Sequence, residues 1–178
     1  FEGMFAFVLI DRNKRKAFAA RDQLGIKPLF ICKSQNGLIL SSEVKPLLGI
    51  MSLSLRENAL YEQIVYRYVS GRKTIYLEVN RLPAGSFALI DPWGKMHEKR
   101  YYDVLEPLHS GFLQPDYDKT YNKLKESIMR HTLSDVGYNV QLSGGLDSSF
   151  VTAQLSQEQQ RIRTYSVSLN TEESEKPF

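Results

Sequence analysis

The residues best equipped for chemistry lie in one stretch, Val140-Gln141-Leu142-Ser143-Gly144-Gly145-Leu146-Asp147-Ser148-Ser149. Two adjacent glycines after a strand-like run let the backbone turn without side-chain hindrance, so that successive N–H groups can converge on an anion. A helix starting at the same point would add its positive end, and the hydroxyls of Ser143, Ser148 and Ser149 can donate to phosphate oxygens. Asp147 is the odd member. A carboxylate beside a phosphate nest repels it unless a divalent cation bridges the two, so Asp147 reads as a Mg²⁺ ligand, directly or through water. A plainer reading stays open, in which Gly144-Gly145 is only the turn before a helix and Asp147 or Ser148 is its N-cap. No Gly-Lys-Ser/Thr follows, which excludes the common phosphate loop of that type.

The elements around this loop follow from periodicity. Residues 139–142 read as a short strand, Ser148 to about Gln159 as a helix and residues 164–169 as a second strand, together a parallel β-α-β unit. Before it, Tyr117, Tyr121, Leu124 and Ile128 recur at three- and four-residue steps, an amphipathic helix with Lys119, Lys123, Lys125 and Glu126 on its wet side. The first hundred residues read differently. Apolar runs at 4–10 and 17–20 flank the polar Asp11-Arg12-Asn13-Lys14, and runs at 29–32 and 38–40 flank Ser34-Gln35-Asn36-Gly37, two hairpin signals. Runs without strict alternation predict strands covered on both faces. Ser54 is placed to cap a helix with Leu60, Ile64, Val65 and Tyr68 near helical spacing, and Gly71 lies beyond its end. Turns at 82–85 and 92–94 bring strands back, and residues 105–116 read as a linker. The expected division is 1–104, a linker at 105–116, and 117–178.

The 178 residues are 42% hydrophobic and 24% charged, which excludes a disordered or collagen-like chain. A net charge of +3 with scattered basic residues argues against a nucleic-acid partner. One cysteine, Cys32, rules out an internal disulfide framework, and three histidines make a zinc cluster a poor fit. No apolar run reaches the ~20 residues that span a bilayer, so the chain reads as soluble and cytoplasmic, with no membrane partner. Phe1 opens directly on an apolar strand-like run, which reads as a start in mid-domain.

The loop string at a strand-to-helix junction resembles the pyrophosphate loop of N-type ATP pyrophosphatases, which cleave ATP between the α and β phosphates. Residues 134–149 resemble the start of the synthetase domain of glutamine-dependent asparagine synthetases. Gly3-Met4-Phe5-Ala6-Phe7, Arg21-Asp22-Gln23-Leu24-Gly25-Ile26-Lys27-Pro28-Leu29, Ser41-Ser42-Glu43-Val44-Lys45 and Leu82-Pro83-Ala84-Gly85 resemble the second half of that family's glutaminase domain. The resemblance implies an α+β class, the C-terminal part of an Ntn-type class II glutaminase sandwich. An α/β segment follows, the first β-α-β of a Rossmann-like N-type ATP pyrophosphatase sheet. It further implies a carbon-nitrogen ligase that converts aspartate through β-aspartyl-AMP to asparagine, with ATP, Mg²⁺, aspartate and glutamine as its small molecules. A homodimer is admissible. Ser143, Gly144, Gly145, Leu146, Asp147 and Ser148 would hold the ATP pyrophosphate, Asp147 the Mg²⁺, and Gln141 and Val167 would lie against the adenosine.

The same matching puts the glutaminase nucleophile before Phe1 and further substrate-binding segments after Phe178, so neither catalytic site is expected complete. Cys32, inside a strand pattern, is expected to be a packing residue, and Arg21, Asp22 and Glu43 a structural polar network. Where the family often has Pro and then Gly before the nucleotide strand, this chain has Gly137 and Asn139, and Gln141 stands where an apolar residue is common. The rival readings are a relative acting on another acid, such as one that closes β-lactam rings or amidates sugars, a tRNA-modifying adenylating protein, and a non-catalytic remnant.

Overall fold

A computed structural model describes residues 1–34, 37–106, 114–158 and 161–168. The chain divides into two compact units, Phe1–Phe112 and Leu113–Phe178.

The first unit is built on two antiparallel sheets. One has the order β1-β2-β6-β7 (β1 Ala6–Asp11, β2 Lys16–Arg21, β6 Ser86–Ile90, β7 Met96–Arg100), the other β4-β3-β5 (β3 Phe30–Ser34, β4 Gly37–Ser41, β5 Val79–Arg81). Both expected hairpins form, β1 on β2 with Val8 opposite Ala19 and β3 on β4 with Ile31 opposite Leu40. Asn36 of the expected Asn-Gly turn lies outside the described residues. Alternation places Ala6, Val8, Ala19, Ala88 and Met96 of the first sheet against Ile31, Leu38 and Leu40 of the second, with Leu29 and Leu82 beside them. Alanines on one side facing branched side chains on the other let the two layers approach without voids.

The far face of the second sheet is covered. Cys32, Val79, Phe30 and Ile39 pack there with Leu47 of the short helix α1 (Lys45–Leu48) and with Met51, Leu53 and Tyr76. The far face of the first sheet departs from the expectation of two covered faces. Phe1, Phe5, Phe7, Phe18 and Phe87 form a row of rings with centroids 5.5–6.0 Å apart, and Leu9 and Leu89 remain more than half exposed. The continuous apolar run of β1 therefore has one buried and one open side among the described residues.

Helix α2 (Glu57–Tyr66) starts later than Ser54. Its N-cap is Arg56, because the Ser54 N–H is already taken by the Glu78 carboxylate (2.9 Å) and Leu55 first bridges Tyr76. Ile64, Val65 and Tyr68 are exposed rather than buried, so helical spacing there marks no core face.

In the second unit, α3 (Tyr117–Arg130) is capped by Asp116, whose carboxylate accepts from the Lys119 N–H at 2.9 Å. Strand β8 (Val140–Gln141), helix α4 (Leu146–Glu158) and strand β9 (Thr164–Tyr165) form the expected parallel unit, with Val140 opposite Thr164 and Gln141 opposite Tyr165. Tyr121 of α3 holds α4 through an edge contact with Phe150 (centroids 6.0 Å) and a bond from Gln154 Nε2 at 3.1 Å. Most of the linker span, 107–113, and the end of the second expected strand, Leu169, lie outside the described residues. No helix of the described residues is long and apolar enough to cross a membrane.

Candidate functional site

The stretch singled out by its residue types leaves the carboxyl end of β8. Val140 anchors that end by burial and by donating to the Arg163 carbonyl (3.0 Å), and the Leu142 N–H continues the pairing to Tyr165 (2.9 Å). The chain then turns through Ser143, Gly144 and Gly145, and α4 begins at Leu146. Gly144 has φ +82°, a left-handed conformation that other residues adopt only with strain, and a Cβ there would point into open space. The mouth of the turn is therefore backbone and empty volume, the form that admits a phosphate group. The first-turn N–H groups of α4 have no intrahelical acceptors, and the helix dipole gives that end partial positive charge.

Asp147 is the second residue of α4 and is exposed, and Leu146 beside it is 85% exposed. A capping role for Asp147 or Ser148 does not fit this placement, because both lie inside the helix. Ser148 instead reaches back across the turn. Its Oγ lies 3.1 Å from the Gly145 carbonyl, 3.2 Å from the Ser143 N–H and 3.0 Å from Ser143 Oγ. Both hydroxyls expected to meet phosphate thus hold the turn closed, and donation to an anion requires them to rotate.

Gln141 and Val167 lie at the carboxyl ends of the paired strands, the end of a parallel sheet where ligands bind in open α/β folds. The Gln141 residue is exposed, and Val167, two positions beyond β9, is 94% exposed. Among the described residues there is no group of three or more His, Cys, Asp or Glu that could hold a metal. A cation here would have one protein carboxylate, that of Asp147, and would take its remaining ligands from phosphate oxygens and water, a donor set that suits Mg²⁺.

Ser166 had no sequence signal. Its hydroxyl donates to the Leu142 carbonyl at 2.5 Å, joining the end of β9 to the residue that opens the turn.

The charged residues of the first unit are structural. Asp22, only 1% exposed, accepts from the N–H groups of Ile26 (2.9 Å), Lys27 (2.9 Å), Leu24 (3.2 Å) and Phe5 (3.3 Å). Burial pushes its pKa up, but the four amide donors outweigh that and hold it below the ordinary carboxylate range. Arg21 donates to the carbonyls of Lys27 (2.7 Å), Leu82 (2.7 Å) and Gly25 (2.5 Å), tying the 22–29 loop to the 82–85 turn. Glu43 stands apart from this network. It is exposed, and its bonds to Ser41 Oγ come from its backbone. Cys32 is fully buried with its Sγ 3.2 Å from Met51 Sδ, and burial, with the nearby Glu78 charge, raises its thiol pKa.

Known proteins match both units in the same order. The glutamine amidotransferase domain family matches residues 1–102, and the asparagine synthase family matches residues 119–178. A Mycobacterium tuberculosis protein provisionally named as a glutamine-hydrolysing asparagine synthetase is 33% identical over 179 residues, covering 96% of this chain and 28% of the relative. Asparagine synthetase (glutamine-hydrolysing) 1 of Bacillus subtilis is 29% identical over 93% of this chain and 26% of the relative. Asparagine synthetase B of Escherichia coli is 31% identical over 85% of this chain and 23% of the relative. The chain spans about a quarter of the length of these relatives. It belongs to the glutamine amidotransferase domain family and continues into an asparagine synthase segment, which places it among the glutamine-hydrolysing asparagine synthetases.

Proposed function

We propose that these residues work within a longer enzyme that uses ATP to activate aspartate and glutamine as the source of the nitrogen it adds. The observation that carries this is the turn at 143–145, an open backbone nest at the carboxyl end of a parallel strand, followed by a helix with an exposed carboxylate in its first turn. Ser143, Gly144, Gly145, Leu146, Asp147 and Ser148 hold the pyrophosphate portion of ATP, their N–H groups supplying donors to the charge that leaves. Mg²⁺ held by Asp147 would neutralise that charge as the bond between the α and β phosphates breaks. Gln141 and Val167 take the adenosine. In this reading the first unit is the C-terminal part of an Ntn-type glutaminase and the second the start of an N-type ATP pyrophosphatase, divided at a linker of residues 105–116. Ammonia freed from glutamine then displaces AMP from the aspartyl adenylate.

The test uses the full-length protein that carries this chain. With ATP, Mg²⁺, aspartate and glutamine it should form asparagine, AMP and pyrophosphate in equal amounts, with pyrophosphate release dependent on aspartate. Formation of ADP and phosphate, or pyrophosphate release indifferent to aspartate, would contradict the proposal.

A further inference from the structure

The β8–β9 pairing ends in an unusual way. In a parallel ladder a residue on one strand donates its N–H to the residue before its partner and accepts, at its carbonyl, from the residue after it. The register of Val140 with Thr164 and Gln141 with Tyr165 places Leu142 opposite Ser166. The Leu142 N–H obeys the rule and donates to Tyr165. Its carbonyl should then accept from the Val167 N–H. It accepts the Ser166 hydroxyl instead, at 2.5 Å, and among the described residues the Val167 N–H has no acceptor. A side chain has taken the place of a rung, one residue early.

We propose that Ser166 is a positioning residue whose hydroxyl stops the β8–β9 ladder and so leaves the backbone N–H and carbonyl of Val167 open to the base of the nucleotide. The assignment of the base rests on the function proposed above, whereas the ladder stop rests on the hydrogen bonds alone. The consequence is chemical. A free N–H and a free carbonyl on one residue present a donor beside an acceptor, the complement of a base edge that presents an acceptor beside an amino group. The same hydroxyl fixes the carbonyl of Leu142, the residue from which the phosphate turn departs, so one side chain sets both the base-facing and phosphate-facing ends of the strand pair.

The test compares the 178-residue chain with Ser166→Ala and Ser166→Thr, reading Val167 amide exchange by NMR together with separate affinities for AMP and inorganic pyrophosphate. Without the hydroxyl, the Val167 N–H is free to close onto Leu142, so its exchange in Ser166→Ala should slow by about tenfold or more. AMP binding in that variant should weaken by about fivefold while pyrophosphate binding changes by less than about twofold. Ser166→Thr keeps the hydroxyl and should match the parent chain in all three. Unchanged Val167 exchange in Ser166→Ala overturns the proposal, and so does an equal loss of AMP and pyrophosphate binding, which would signal a general loosening. If the parent chain takes up neither ligand, the nucleotide reading fails together with the base-facing role, and Val167 exchange alone upholds or overturns the ladder stop.

Discussion

Asp22→Asn removes one charge and almost no volume from the most heavily bonded side chain of the first unit. Each carboxylate oxygen of Asp22 accepts two backbone N–H groups, Leu24 and Ile26 on Oδ1, Phe5 and Lys27 on Oδ2. Asparagine can keep one oxygen, so its NH₂ must face two buried donors that it cannot accept. Losing two hydrogen bonds to a charged group, at about 1.5–3 kcal/mol each, gives an expected loss of about 3–5 kcal/mol. The pH dependence has a definite sign. Because the carboxyl pKa is lowered in the fold, the stabilisation is fully present above the ordinary carboxylate range and is lost as pH falls through the depressed folded value. A protonated aspartic acid resembles asparagine in shape and donors, so the gap between parent and variant should close over that same acid window. Urea unfolding followed by circular dichroism, with amide exchange at Ile26 and Lys27 to localise the effect, measures both. A neutral-pH loss under about 1 kcal/mol, or a gap that does not change with acid, would refute the network argument.

Gly85→Ala should be as damaging for a steric reason. Gly85 has φ +59° and a Cβ there would come within 2.4 Å of the Tyr102 carbonyl oxygen, so left-handed strain and displaced backbone together should cost about 2–4 kcal/mol. Gly137→Ala, whose Cβ would meet nothing within 4 Å, serves as the control and should change stability by less than about 0.5 kcal/mol. Cys32 should resist alkylation in the folded chain and react on addition of urea, and the chain should release no glutamate from glutamine, because its one thiol is buried and held neutral. Rapid native alkylation or glutamate release above a buffer blank would contradict that.

What the sequence made legible was local. The hairpins of β1 with β2 and β3 with β4 show because apolar runs meet polar turns at short range, and the phosphate turn shows because Gly144-Gly145 follows a strand. Strand β5 did not show. Its Val79-Asn80-Arg81 is short and mostly polar, and it becomes a strand by pairing with β3, a contact about fifty residues away in sequence. The start of α2 was misplaced for a similar reason, since Glu78 captures the Ser54 N–H from across the fold. At the site, residue types revealed the glycines and Asp147, but not that Ser143 and Ser148 bond to each other or that Ser166 ends the ladder. Those bonds depend on how strands and helix meet in space.

The central claim, that Asp147 serves the cleavage of ATP at this turn, is tested most directly by Asp147→Asn in the full-length protein, with pyrophosphate and glutamate release measured on the same sample. The variant keeps size and hydrogen bonding at an exposed first-turn position, where a charge change alone alters helix stability by about 0.3–1 kcal/mol. If the carboxylate holds Mg²⁺ against the phosphates, pyrophosphate release should fall on the order of 10²-fold or more while glutamate release persists. Full pyrophosphate release from the variant would contradict the account and leave Asp147 a helix residue only.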